Sequence, residues 1–395
     1  LSQKALDQVA KRQSIEDRWL EDTRQYHGRY DQQTEAHLKN ERKSRVFVKL
    51  TRAKTHAWEA RLSDMLFPTD DKNWGVRPTP VPTLSAAAKD LMKRVKAAGP
   101  EVAAQANQAL ASGDPQAADA LAQQVNEEAE RAKQLQAEIE EADRRAKAME
   151  REIEDQLVET KYNIRCRDVI HDACKLGTGI MKGPMVSNRT KREWRKVTQG
   201  ERTLHVMEVV NDPRPEYRRV DPWNYFPDMS ATCADDKEFE FERHLMNKKG
   251  LRDLAKQPGF LKDAIRELLE EGPRETVPTY LAQLREVSDI NESLEPRYHV
   301  WEFHGTLEKE EVELILSAIG DFEQLQEIQV DPLEEHRVII WFCQNKLLKF
   351  APHPLDSGDS LYSIFNFEKD DTSLFGSGVP YLMRDSQAAV NGAWR

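Results

Sequence analysis

Cysteine is scarce in this sequence, and the spacing of the few that occur indicates no linked pair. The four cysteines form no Cys-x-x-Cys motif and no regular framework: Cys166, Cys174, Cys233 and Cys343. This argues against a disulfide-stabilised fold and favours free thiols in a reducing, intracellular compartment. The ten histidines show no His-x-x-x-His pair and no cysteine partner at zinc spacing. We therefore expect no metal site.

Long apolar runs are absent as well. No stretch of about 18 apolar residues is available to span a bilayer, and the start from Leu1 to Lys4 lacks the apolar core of a signal peptide. The sequence does not begin with methionine, so we expect further residues before Leu1. No membrane partner is expected.

The loop most similar to a phosphate-binding loop runs from Leu176 to Pro184. A Walker-type loop requires a lysine directly after its last glycine, whereas Lys182 here precedes Gly183, and the loop follows a predicted helix instead of a strand. The carbonyl end of a helix has the wrong polarity for an anion. A helix C-cap at Gly177 that leads into a strand explains the same residues.

A second glycine pair, Gly376 and Gly378, precedes a predicted helix. A lone Gly-x-Gly without a preceding strand is more typical of a tight turn than of a nucleotide site. We expect no cofactor at either loop.

Carboxylates occur in patterns that a two-metal nuclease would need, but each has a simpler interpretation. Neighbouring aspartates at 70–71, 235–236 and 370–371 point apart on an extended chain and are typical of turns. Glu238, Glu240 and Glu242 share one face of a predicted strand, which we expect to be the solvent face. No lysine follows at the spacing a nuclease needs, and no Gly-x-Ser-x-Gly motif occurs. We expect no catalytic residue and no enzyme activity.

Acidic residues outnumber basic ones by 69 to 58, which gives a net charge of −11. Tight binding of nucleic acid depends on neutralisation of phosphates by Lys and Arg, so a protein that grips DNA is disfavoured, whereas one that DNA slides past is not. Only 39% of the residues are hydrophobic and 32% are charged. This composition predicts an extended, helix-rich protein with much surface covered by solvent or by partners.

The first half of the chain has helical periodicity. Helices are predicted over 2–30 and 44–67, then over 84–98 and 101–111, followed by a long helix that ends at about residue 165. Apolar residues in the long helix alternate spacings of four and three, the seam of a coiled coil: Leu135, Ile139, Ala142, Ala146, Met149 and Ile153. Packing against the preceding helices and association with a neighbouring chain both fit this seam.

Strands appear from about residue 200. Alternation of period two predicts strands over 203–210, 238–243, 298–303 and 337–343, the last turning at 344–346 into a strand over 347–351. A helix is predicted over 248–270. The fold class expected is therefore α+β and helix-rich.

Several landmarks together resemble the portal proteins, or head-to-tail connectors, of tailed bacteriophages, and those of short-tailed phages in particular. The similar segments occur in the same order over most of the chain: Arg45–Leu50, Leu66–Pro68, Gly177–Pro184, Val220–Asp228, Glu302–Gly305 and Gly376–Pro380 followed by Asp385, Ser386, Gln387 and Asn391.

The resemblance implies a ring of subunits, generally a dodecamer, at one capsid vertex of the virion. Residues 1–250 would form the wing, with the helical N-terminus, the Ala/Glu-rich helical block 84–160 and the strands at 203–245. Residues 251–296 would be helices leading into the stem, 297–357 an α/β clip, and 358–395 the return into a stem helix. That helix has no stop signal before Arg395, so we expect the chain to be truncated there and the C-terminal crown to be absent.

The resemblance also implies partners. The subunit would assemble in the host cytoplasm with the major capsid and scaffolding proteins, the terminase motor and a tail adaptor, and double-stranded DNA would pass through without sequence readout. Candidate subunit or partner contacts are Leu135, Ile139, Met149, Ile153, Trp301, Phe303, Trp341 and Phe342. Candidate stem-helix residues are Tyr381, Arg384, Asp385, Gln387 and Asn391. DNA-contacting residues are not indicated.

Two other classes of protein remain open. The heptad seam would suit a coiled-coil scaffold or tail adaptor of a virion. The aspartate pairs would suit an enzyme that processes nucleic acid.

Overall fold

The computed structural model describes residues 1–68, 74–78, 86, 90, 93, 115–199, 202–274, 277–290, 295–319, 335–355 and 357–394. The fold is mixed α+β with two antiparallel sheets. The chain divides into two compact units, one formed by Leu1–Leu66 with Tyr162–Arg395 and the other by Phe67–Lys161. Within these ranges no helix is both long and apolar enough to cross a membrane.

Four helices open the first unit: α1 (Ser2–Lys11), α2 (Gln13–His27), α3 (Gln32–Asn40) and α4 (Leu50–Leu66). The helix predicted over 2–30 is divided at Arg12, whose side chain is fully buried. Its guanidinium donates to the backbone oxygens of Pro222 at 3.0 Å and Trp223 at 2.8 Å. These bonds satisfy a buried cation that has left water.

The remaining helices follow in chain order: α5 (Pro115–Glu159), α6 (Tyr162–Leu176), α7 (Lys248–Leu254), α8 (Lys262–Glu271), α9 (Thr279–Val287), α10 (Lys309–Ile319), α11 (Val379–Leu382) and α12 (Arg384–Ala393). The helix predicted over 248–270 is two helices, because Pro258 and the left-handed Gly259 (φ 80°) interrupt it. The predicted closing helix is likewise two, separated at Met383.

The first sheet has the strand order β2–β1–β8. β1 (Thr178–Gln199) pairs antiparallel with β2 (Arg202–Val220) from Ile180 to Gln199, with a register shift between Lys182 and Met185, but with β8 (Tyr362–Asn366) only from Thr178 to Lys182. The C-cap predicted at Gly177 is confirmed, since α6 ends at Leu176 and β1 begins at Thr178.

The second sheet has the order β3–β4–β5–β6–β7. Its strands are β3 (Tyr225–Pro227), β4 (Phe239–Met246), β5 (Tyr298–Leu307), β6 (His336–Cys343) and β7 (Lys346–Pro352). The predicted hairpin is confirmed, with Gln344 (φ 49°) and Asn345 (φ 65°) as its two-residue turn. Strands from the segments 1–250 and 297–357 therefore share one sheet.

The two faces of the second sheet are covered differently. On one face Phe303 and Ile340 pack with Val312 and Leu316 of α10. Side chains alternate along a strand, so Glu302 on β5 points to the opposite face. There it bonds to Lys182 of β1, and α7 and α8 cover the neighbouring apolar side chains.

The second unit is built on α5, along which the extended segment Val76–Pro78 lies. The Val76 amide donates to Glu150 at 3.4 Å. The predicted end near residue 165 is wrong: α5 ends at Glu159, and Lys161 (φ 56°) turns the chain. Apart from positions 86, 90 and 93, the helices predicted over 84–98 and 101–111 lie outside the described residues, as does the Asp70–Asp71 pair.

Candidate functional site

A long two-stranded ribbon extends from the first sheet. Beyond Lys182 the first sheet consists only of β1 and β2, which pair from Met185↔Glu216 to Gln199↔Arg202. In the described part of the chain no third strand pairs with either edge there. Two-stranded ribbons are marginally stable in water, and unpaired edges are templates for pairing with another chain.

Apolar side chains are exposed on both faces of the ribbon, with Val206 and Val210 on one face and a larger group on the other, where charged residues such as Arg192 and Lys196 accompany them. Trp194 lies opposite Met207, and Val209 follows two residues later on the same face. Their exposed fractions are 69%, 48% and 58%. A large tryptophan and two further apolar side chains exposed together are typical of a protein contact.

The base of the ribbon is fixed by a buried lysine. Lys182, only 2% exposed, lies in β1 just before the ribbon leaves the sheet. Its Nζ donates to Glu242 Oε2 on β4 at 2.8 Å and to Glu302 Oε2 on β5 at 2.5 Å. One ammonium therefore joins the two sheets.

Further polar groups complete this cluster. Glu302 accepts hydrogen bonds from ring nitrogens of His244 and His304, both at 2.9 Å. Glu242 accepts from the hydroxyl of Tyr362 at 2.8 Å. We call Lys182, Glu242, His244, Glu302, His304 and Tyr362 the buried charge cluster.

The cluster shifts the protonation of its carboxylates. Burial by itself raises the pKa of Glu302, but the Lys182 ammonium and the hydrogen bonds from His244 and His304 outweigh burial and hold that pKa well below its usual range. In the same way, His244 and Lys182 outweigh burial at Glu242 and lower its pKa. Both carboxylates are therefore ionised at neutral pH.

A neighbouring carboxylate, Glu240, is also buried. It accepts hydrogen bonds from Tyr225 at 2.5 Å and Ser360 at 2.6 Å and pairs with Lys237 at 2.8 Å. The expectation that Glu240 and Glu242 face solvent is wrong, because β1 and β8 of the other sheet cover that face of β4. The alternation along the strand correctly predicted that these glutamates share one face, but it did not predict that the other sheet covers that face.

The cluster has the donor set of a cation site. Ligand atoms of Glu242, His244 and Glu302 lie within 4.8 Å of one another, the only such group in the ranges the structure describes. Two carboxylates and an imidazole suit a divalent metal. The ammonium of Lys182 lies between the two carboxylates and supplies the positive charge in this structure. Sequence analysis missed the group because its members are far apart in the chain.

The two glycine loops pack against each other. A Cβ on Gly177 would lie 2.2 Å from the backbone oxygen of Gly376, and a Cβ on Gly378 would lie 2.8 Å from the nitrogen of Gly177. Thr178 Oγ1 accepts a hydrogen bond from the Gly376 amide at 2.8 Å. These glycines thus permit a close backbone approach between α6 and the entry to α11.

The aromatic residues predicted at an interface lie in the second sheet. Trp301, Phe303 and Phe342 are at most 5% exposed and belong to the core of the first unit, so their rings are covered by the chain itself. Trp341 is half-buried and stacks on His244 at a centroid distance of 4.8 Å.

The predicted seam lies on α5. Leu135, Ile139 and Ile153 are half-buried within the second unit, whereas Met149 is 58% exposed. The seam is thus partly covered without a second chain. Contact with a neighbour through it stays a prediction.

The predicted stem-helix residues divide into buried and exposed sets. Gln387 and Asn391 are buried and bind the segment before α4: Gln387 donates to Val48 O at 2.6 Å, and Asn391 accepts from the Val48 amide at 3.0 Å. Arg384 pairs with Asp22 at 2.9 Å. Tyr381 and Asp385 are exposed.

Comparison with known proteins identifies no family for this chain. No protein-family model matches this sequence, and no curated protein is significantly similar to it.

Proposed function

We propose that this chain is a portal subunit and that twelve copies of it form a ring at one vertex of a bacteriophage capsid. The observation that carries the proposal is the ribbon of β1 and β2, with unpaired edges and exposed apolar side chains, whose base is bonded to the second sheet through Lys182. A surface of this kind is stable when a neighbouring subunit covers it. The order of the portal-like motifs along the chain supports the same conclusion.

In this proposal the ring is a passive channel for packaging and ejecting DNA. The net charge of −11 suits a wall that does not hold phosphate. Force would come from the terminase motor docked on the ring, and a tail adaptor would replace the motor after packaging. The polypeptide itself would need no cofactor.

The second candidate is a coiled-coil scaffold or tail adaptor of a virion. The observation that favours it is α5, a helix of 45 residues that exposes Met149 and Val158. A helix of this length with exposed apolar residues suits association through a helical seam.

One experiment separates the two candidates. Native mass spectrometry and negative-stain microscopy would be applied to the wild type, to a ribbon variant (Trp194→Asp with Met207→Asp) and to a helix variant (Met149→Asp with Val158→Asp). We expect closed rings with an open centre for the wild type and the helix variant, and monomers for the ribbon variant. A wild type that forms dimers which only the helix variant abolishes would replace the portal with the scaffold or adaptor.

A further inference from the structure

A cleft of about 1080 Å³ lies at the base of the ribbon. Its walls are β1 and β2 on one side and the turn between α7 and α8 on the other, and its floor is the second sheet. Apolar side chains cover the floor and the adjoining wall: Met246 and Trp341 on the sheet, Leu254 and Phe260 on the wall. The cleft is larger than most small-molecule pockets and has room for several side chains of a partner.

Cations surround this apolar floor. Arg218, Lys256, Lys262 and Lys349 line the cleft, against the carboxylates of Glu216 and Glu302 only. Glu302 is already neutralised by Lys182, which also lines the cleft, and Lys256 pairs with Asp253. In the described part of the chain no carboxylate pairs with Arg218, Lys262 or Lys349. The cleft is therefore basic in a chain whose net charge is −11.

The complementary surface is the outer side of α10. Val312 and Leu316 face the core of the first unit, so Glu310 and Leu314 lie on the outer side of the helix, and the half-buried Glu313 lies on its flank, where it pairs with Lys309 at 3.8 Å. Leu314 is 72% exposed, and Glu310 is exposed as well. An acidic surface with an apolar centre matches a basic cleft with an apolar floor.

The two surfaces lie on opposite faces of the same sheet. Phe303 and Ile340 point to the face that α10 covers, whereas Glu302 and Trp341 point to the cleft. A chain cannot bring its own α10 to its own cleft across this sheet. Two different complementary surfaces on one subunit make head-to-tail contacts, which form a ring when the rotation between subunits closes and an open filament when it does not.

We propose that the cleft binds the acidic face of α10 from a second copy of this chain. This inference rests on the proposed function, because it names the contact between neighbouring subunits of the ring. The cations of the cleft bind the glutamates, and Leu314 packs on the aromatic floor.

Charge reversal tests the contact. Lys262→Glu with Lys349→Glu, or Glu310→Lys with Glu313→Lys, should each weaken assembly at least about tenfold. The four changes together return the net charge to −11 and should restore assembly. A matched control, Glu127→Lys with Glu130→Lys on α5, changes the charge equally and should have no effect.

A cross-link gives a readout that needs no closed ring. In a chain whose half-buried cysteines are replaced (Cys166→Ser, Cys233→Ser), Cys at positions 310 and 349 (Glu310→Cys, Lys349→Cys) should give a ladder of disulfide-linked chains on mild oxidation that neither single Cys substitution gives. A ladder without rings would support the contact and contradict the portal. Rings that form without a ladder and tolerate both charge reversals would overturn the contact and leave the portal standing. Heparin binding that is lost in Lys262→Glu with Lys349→Glu while assembly is unchanged would also overturn it.

Discussion

Lys182 and Glu242 form a buried ion pair of 2.8 Å between strands of two different sheets. Because the same ammonium also binds Glu302, loss of Lys182 leaves two buried carboxylates without their cation. Breaking a buried pair by removing one partner costs about 3–5 kcal/mol. We expect Lys182→Met to lower the free energy of unfolding by about this amount in urea titrations.

The control for this variant is Lys196→Met on the exposed ribbon, which should change stability by less than about 0.5 kcal/mol. A triple variant that also carries Glu242→Gln and Glu302→Gln should recover part of the loss, because no uncompensated charge then remains buried. Equal stability of Lys182→Met and the wild type would show that the pair does not hold the two sheets together.

The lowered pKa of Glu302 predicts acid sensitivity. Since its pKa in the folded chain lies below the ordinary value of 4.5, the unfolded chain binds the proton first as the pH falls. The stabilisation is fully present above pH 4.5 and is lost at lower pH. We expect the stability difference between the wild type and Glu302→Gln to shrink below pH 4.5, measured by chemical unfolding across the acid range. A difference that is constant with pH would contradict this assignment.

The raised pKa of Asp22 predicts the opposite pH dependence of the free energy of unfolding. Burial raises its pKa to about 6 although Arg384 lies 2.9 Å away, and its Oδ2 is buried without a hydrogen-bond partner. A raised pKa means that the folded chain binds the proton first, so the stabilisation is fully present below the ordinary value of 3.8 and is lost as the pH rises through about 6. Relative to Asp22→Asn, the wild type should gain stability as the pH is lowered from about 7 to about 5. Parallel pH profiles of the two proteins would argue against it.

Sequence patterns predicted local structure well where local chemistry decides it. The turn at Gln344 and Asn345 and the C-cap at Gly177 were both predicted, because each depends on residues that adopt a left-handed backbone. The split of the predicted helix at Arg12 was not foreseen, since it depends on carbonyl groups more than 200 residues away. The length of the ribbon was also underestimated, because Pro213, Pro215 and the many charges of β2 resemble a loop. The strand predicted over 203–210 continues to Val220.

The buried charge cluster shows what periodicity leaves out. Alternation along β4 places Glu240 and Glu242 on one face, but whether water or a second sheet covers that face depends on the tertiary fold. Lys182 was considered only as part of a phosphate loop. Its partners could not be identified from spacing, since they lie 60 and 120 residues along the chain.

The contact between the two glycine loops predicts that one added methyl group at Gly177 lowers the stability of the first unit strongly. Gly177 has a φ of 97°, and a Cβ there would lie 2.2 Å from the Gly376 oxygen, a distance that forces the backbone apart. We expect Gly177→Ala to destabilise the first unit by more than about 3 kcal/mol, as measured by urea unfolding. The matched control is Gly392→Ala in α12, where a Cβ would meet no atom within 4 Å. Gly392 is the second-last residue of α12, so this control should change stability by less than about 1 kcal/mol. If both substitutions had the same small effect, the close approach of the two loops would be wrong.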